Sequence, residues 1–325
     1  MPILLEELIE QLPSDTEDRV KKAKDRFNAR IRDALRRETR LSFHRADETN
    51  VAVPIQIVPG VPVPLQPPDK QSIDDRHRVA LLLAPFRHEL TSMRDSGRKI
   101  VQELLPTLLR DSFARELLDG REQFIRGSAQ YAEFLLQKLN EFELTKFILA
   151  VNTDVLGVYS YKVRGATYDE PEPRIELYWG VIGLVARDLG VAVEDLTCVV
   201  LTHELAHAYT HVGGDADDHW WASRNFFDAA HELKEGLAQF YTLLVCSRFD
   251  DSSTGALRAF WELLPHQPAA YLTHERWEQS TPEHVRLAML ATRRSENQSS
   301  LDSFEVHLRN ARRQLQRGRG DAAAV

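Results

Sequence analysis

The stretch His203-Glu204-Leu205-Ala206-His207 sits inside a long apolar run, and that setting constrains the fold more than any other feature. Leu196 to Leu205 reads LTCVVLTHEL, and Ala206, Ala208 and Tyr209 extend it. Such a run predicts a helix buried on most sides. An α-helix turns about 100° per residue, so positions 203 and 207 share one face about one turn apart. Two neutral imidazoles on that face can hold a single Zn²⁺, and Glu204 can approach a water on that metal. The competing reading is a surface helix with two solvated histidines, and the apolar flanks speak against it.

A metal site needs a third protein ligand. His211 continues the four-residue spacing but lies about 12 Å along the helix axis from His203, too far for one zinc with bonds near 2 Å. The pattern H-E-x-x-H-x-x-G-x-x-H fails as well, because Thr210 and Gly213 stand where glycine and histidine are required. Glu235 is the third option, within His231-Glu232-Leu233-Lys234-Glu235-Gly236-Leu237-Ala238-Gln239-Phe240-Tyr241. Leu233, Leu237, Phe240, Leu243 and Leu244 repeat there at helical spacing and predict a second buried helix. Glu235 lies close to that apolar face, where an unpaired carboxylate is costly and a metal is a good reason to keep one.

Together the two segments resemble the gluzincin zinc metallopeptidases, which carry H-E-x-x-H on one helix and E-G-x-A on the next. The likeness covers roughly residues 145–290, and its specific part runs from Thr202 to Tyr241. Residue by residue, it implies His203, His207 and Glu235 as zinc ligands and Glu204 as general base. Glu232, one turn earlier and outside the E-G-x-A context, is the rival third ligand. Gln239 stands four residues after Glu235, where relatives often carry a group that orients a zinc histidine; an ordinary polar helix residue is the equal alternative. An additional oxyanion donor is expected C-terminal to the metal helices, among Tyr271, His274 and Arg286. Tyr271 comes first because a phenol donates without bringing a full charge near zinc, although a structural tyrosine is the commoner use. Arg286 has the alternative of pairing with a carboxylate. The cofactor implied is Zn²⁺; nickel, cobalt or manganese could replace it in vitro. The G-A-M-E-N segment of gluzincin aminopeptidases is missing, and Gly165-Ala166-Thr167-Tyr168-Asp169-Glu170 is a faint echo, so an endopeptidase is preferred.

Other chemistry-bearing residues have plainer readings. Gly213 to Trp221 is a loop rich in glycine and aspartate, either a packed connector or, with Trp220 and Trp221, a flap. His219 and His231 default to surface or structural roles, with a place beside the ligands open to His231. Asp215, Asp217 and Asp218 lack the twelve-residue calcium-loop pattern.

The expected fold is α+β and mainly helical: a zincin-like catalytic domain over 144–300 with a small sheet, an N-terminal helical region over 1–143, and a basic C-terminal helix and tail over 301–325. Strands are predicted at 146–151, 155–161 and 174–179, the last able to pair with an extended substrate if it forms an edge. Residues 180–189 predict a helix stopped near Gly190, and the metal helix should begin at Glu194 or Asp195. Residues 4–12 and 16–40 are helical in pattern, with Val20, Phe27, Ile31 and Leu35 on an apolar face. Six prolines and one glycine within 51–68 forbid a helix there. That apolar segment should pack along the body; a sharper expectation makes it an inhibitory strap near the cleft. Helical patterning returns over 76–143, and the chain should end unstructured at GRGDAAAV.

A net charge of −8 argues against a nucleic-acid enzyme. Cys198 and Cys246 form no C-x-x-C pair and read as small buried residues. No run approaches membrane-spanning length and no secretory leader is evident, so a cytoplasmic protein is expected. The sequence therefore predicts an intracellular zinc metallopeptidase acting on a peptide or protein, with a regulatory partner conceivable through the N-terminal region. A non-proteolytic zinc hydrolase and a metal-retaining binding or sensor protein are the alternatives, and an intact Glu204 weighs against the second.

Overall fold

The computed structural model describes residues 9–10, 12–44, 50–59, 86–110, 121–140, 155–162, 172–250, 254–295 and 299–322. It is mainly helical with one three-stranded sheet. Packing divides the chain into two compact units, one of Leu12–Leu65 with Leu149–Val325 and one of Met1–Gln11 with Gln66–Ile148. The first long helix thus belongs with the C-terminal part of the chain. No described helix is long and apolar enough to cross a membrane.

In chain order the elements are α1 (Thr16–Thr39), β1 (Ile55–Val58), α2 (Arg87–Lys99), a π turn (Ile100–Leu104), α3 (Leu105–Leu108) and α4 (Arg121–Asn140). There follow β2 (Gly157–Ser160), β3 (Arg174–Tyr178), α5 (Trp179–Leu189), α6 (Val193–Val212), α7 (Ser223–Asp228) and α8 (His231–Asp250). The chain closes with α9 (Ala256–Leu263), 3₁₀ turns at Leu264–His266 and Tyr271–Trp277, α10 (Pro282–Arg294) and α11 (Leu301–Ala322). Helix α11 runs through Ala322, into the GRGDAAAV stretch expected to be unstructured.

The larger unit is built around α6. Helix α1 buries Val20, Phe27, Ile31 and Leu35, the four positions that its period marks. Its cover comes largely from α6 and α8: Tyr209 Oη donates to the Arg32 carbonyl at 3.0 Å, and Phe27 stacks on Phe249 at 6.4 Å between centroids. Arg19 grips Glu194, at the start of α6, with two bonds of 2.8 Å. Helix α5 ends at Gly190, whose φ of 65° is the left-handed cap that glycine adopts without a Cβ clash. Helix α6 then begins at Val193, one residue ahead of the position that Glu194 marks.

The sheet has the order β1-β3-β2, so β3 is its centre. It was expected as a possible edge; instead it pairs in parallel with β1 (Ile55↔Ile175) and antiparallel with β2 (Gly157↔Leu177). Ile175 and Leu177 are fully buried on one face of β3, while Arg174 and Glu176 on the other face keep contact with solvent. The described part of the proline-rich segment thus becomes a strand at the edge away from β2. The predicted strand at 146–151 and residues 60–68 lie outside the described residues.

In the smaller unit, α2 and α4 pack closely. A Cβ on Gly97 would stand 2.7 Å from the Ala129 Cβ, so glycine permits the approach. Pro106 explains the π turn: it lacks an N–H and crowds the preceding turn, and the Leu105 amide reaches back five residues to the Ile100 carbonyl.

Candidate metal centre

Helices α6 and α8 bring three donors to one point. His203 Nε2 and His207 Nε2 lie 3.1 Å apart, and Glu235 Oε2 is 3.1 Å from the first and 3.2 Å from the second. The spacing of i and i+4 on α6 supplies the two imidazoles, and the apolar face of α8 supplies the carboxylate. All three residues are buried, between 5% and 8% exposed.

A metal fits this donor set. Four ligands around zinc at 2.0–2.1 Å stand about 3.3 Å from one another, close to the observed edges. The hydrogen-bond arithmetic points the same way. Gln239 Oε1 faces His203 Nδ1 at 3.3 Å, and an amide oxygen only accepts, so the His203 proton is on Nδ1. The Nε2 lone pair then faces a carboxylate oxygen, an arrangement that a shared cation relieves. Burial pushes the His203 imidazole below its ordinary value despite the opposing pull of Glu235, which keeps the ring neutral as a ligand must be. Burial alone would raise Glu235, but the pull of His207 holds its carboxyl well below the usual range, so it is ionised.

The surroundings sort the remaining candidates. Gln239 is brought to the triad, and its nitrogen donates to Gln267 Oε1. Glu204 is 6% exposed beside His203 and faces strand β2, where a Cβ on Gly157 would lie 3.1 Å from the Glu204 Cγ. Glu204, His203, Gly157, Gln267, Pro268 and Tyr271 are among the residues around a cavity of ≈ 20 Å³, room for about one water. Tyr271 is also brought in: its ring stacks on His203 with centroids 5.2 Å apart. His231 places Nδ1 3.6 Å from Glu235 Oε1 while remaining largely exposed, so it stands beside the ligand set.

Other candidates are held elsewhere. Glu232 turns to an open groove of ≈ 530 Å³ shared with Arg276 and Asp302, and does not join the triad. His274 donates from Nδ1 to the Tyr271 carbonyl at 2.8 Å, and Arg286 pairs with Glu283 on its own helix. His211 has both nitrogens engaged, with Tyr159 Oη at 2.9 Å and Ser223 Oγ at 3.1 Å, and burial holds it well below its ordinary value. The loop between α6 and α8 is a packed connector: Arg293 donates to the Gly213 and His219 carbonyls, and Arg294 bridges Asp215 and Asp217. Trp221 is fully buried there, whereas Trp220 is 38% exposed.

Two residues escaped the sequence. Tyr159 lies nearly parallel to His207, 6.5 Å between centroids, and the alternation of 157, 159 and 161 on one strand face was its signal. Gln267 left no signal, because it acts only through a contact 28 residues away in sequence. Gly236 follows the third donor because Trp277 Cη2 would stand 2.8 Å from any Cβ there. Comparison with protein-family models, with curated proteins and with solved structures finds no match to this chain.

Proposed function

We propose that the chain is a zinc-dependent hydrolase of the gluzincin type that cleaves peptide bonds, acting as an endopeptidase within the cell. The observation that carries the reading is the convergence of His203, His207 and Glu235 on one point with Glu204 beside them. Bound there, zinc lowers the pKa of a coordinated water and polarises a carbonyl oxygen. Glu204 takes a proton from water and returns it to the leaving amine nitrogen. Gln239 orients His203, and the Tyr271 phenol is the protein donor to the developing oxyanion. Strand β2 lies along α6, and its outer edge makes no pairing among the described residues, so an extended peptide can add to it through main-chain bonds. Two buried free cysteines suit a reducing compartment.

A second reading has its own observation. The cavity beside Glu204 is water-sized, which favours a small amide or ester over a polypeptide unless the wall around Gln267 and Tyr271 moves. Metal analysis of protein purified without a metal column is the first test. One zinc per chain is expected, lost in His203→Ala and Glu235→Ala and kept in Glu204→Gln, whose hydrolysis should fall on the order of 10²- to 10⁴-fold. A well-folded wild type without metal would end the hydrolase reading. Digestion of a peptide library beside a panel of small amides and esters then separates the two substrate classes.

A further inference from the structure

We infer that Gln267 is a positioning residue for the metal centre, acting through the Gln239 amide to fix which nitrogen of His203 carries the proton. The inference rests on the metal reading above. Gln239 is 1% exposed, so no bulk water is at hand to exchange for either end of its amide. One end meets His203 Nδ1 and the other meets Gln267 Oε1.

An amide can be turned end for end with little change in shape, so its neighbours decide the orientation. The Gln267 oxygen only accepts. It draws the Gln239 NH₂ toward itself and leaves the Gln239 oxygen facing His203. His203 must then donate from Nδ1, and its Nε2 lone pair points at His207 and Glu235. With the Gln267 side chain removed, the Gln239 amide is free to turn. Its NH₂ then donates to Nδ1, the His203 proton moves to Nε2, and that proton bonds to Glu235 Oε2 at the observed 3.1 Å. This second arrangement pairs His203 Nε2 with Glu235 without metal and competes with metal binding.

Gln267 is itself held in place by its backbone. Its N–H donates to the Leu264 carbonyl at 3.2 Å, closing the 3₁₀ turn. Its backbone is extended, with φ −82° and ψ 152°, the region to which a following proline restricts a residue, and Pro268 follows. Pro268 and Tyr271 wall the small cavity, so the same short segment both shapes the site and sets the protonation of a ligand.

The test is zinc affinity by chelator competition, with apo-protein thermal unfolding as a folding control and ¹⁵N long-range NMR to read the His203 tautomer. Gln267→Ala should weaken zinc on the order of 10- to 100-fold, the usual cost of losing a partner that orients a ligand. Its apo unfolding midpoint should stay near wild type, and proton density at His203 should shift toward Nε2. Gln267→Glu, whose ionised carboxylate presents an acceptor to Gln239 in either orientation, should recover most of the affinity. In a Gln239→Glu background the carboxylate cannot turn into a donor, so adding Gln267→Ala should cost little further affinity. Equal weakening in both backgrounds would mean that Gln267 acts through packing, and the inference would fall. Unchanged affinity in Gln267→Ala would also overturn it. If wild type binds no zinc, the metal reading itself fails, an outcome distinct from a zinc-binding wild type indifferent to Gln267.

Discussion

Helices α6 and α4 are each twenty residues long, yet they occupy opposite environments. Every residue of α6 from Leu196 to Val212 is buried. Helix α4 buries Ala129, Ala132 and Leu136 but leaves Phe124 at 74%, Tyr131 at 61% and Phe134 at 50% exposure. Apolar residues alone therefore do not decide whether a helix is surrounded; the number of faces that neighbours cover does. Only the surrounded helix can keep His203, Glu204 and His207 away from water, because its neighbours supply Glu235 and Gln239 as partners. A buried polar group without such partners costs more than the packing around it returns.

Paired core and surface substitutions would break this contrast most directly. Ile31 on α1 is fully buried, so Ile31→Ala should cost about 2–5 kcal/mol by denaturant unfolding. Phe124→Ser should stay within about 0.5 kcal/mol of wild type, as an exposed substitution does. A large loss from Phe124→Ser would mean that α4 is covered in solution. An intermediate effect is expected at the α8 glycine. Gly236→Ala pushes a methyl against Trp277 and Thr273 and should cost about 1–3 kcal/mol, with zinc affinity falling as Glu235 is displaced.

A small, pH-dependent effect belongs to the partly exposed ion pair of Arg19 and Glu194. The Arg19 hydrogen bond holds the Glu194 carboxyl below its ordinary value. A depressed carboxylate stabilises the fold above its unfolded pKa and loses that contribution as pH falls through the folded one. Arg19→Ala should therefore cost under about 1 kcal/mol at pH 7, and the gap should close in acid. A gap that persists there would assign the effect to packing by the Arg19 stem.

How much of this was legible depended on distance along the chain. The shared face of His203 and His207 follows from the helical period, and both lie on α6 as that period requires. Glu235 was preferred to Glu232 on the E-G-x-A context that the resemblance supplies, and Glu235 is the carboxylate that lies with the two histidines, 5% exposed. The apolar face of α1 was readable too, but its partner was not: a period tells which residues seek cover and not what provides it. The same limit hid the central place of β3, whose β1 neighbour comes from a proline-rich segment. It hid Gln267 as well, since a side-chain amide 28 residues from Gln239 leaves no pattern.

The parallel pairing of β1 with β3 also sets an order of events as the chain emerges during synthesis. Ile55 meets Ile175, so roughly 120 residues must be made before this ladder can close. Helix α1 waits longer, since Val20, Phe27, Ile31 and Leu35 need α6 and α8, which begin at Val193 and His231. In that interval the nascent chain presents an apolar helix face and an unpaired strand to everything around it. Helix α1 and strand β1 are thus both synthesised long before the elements that cover them, and the helix has the longer wait.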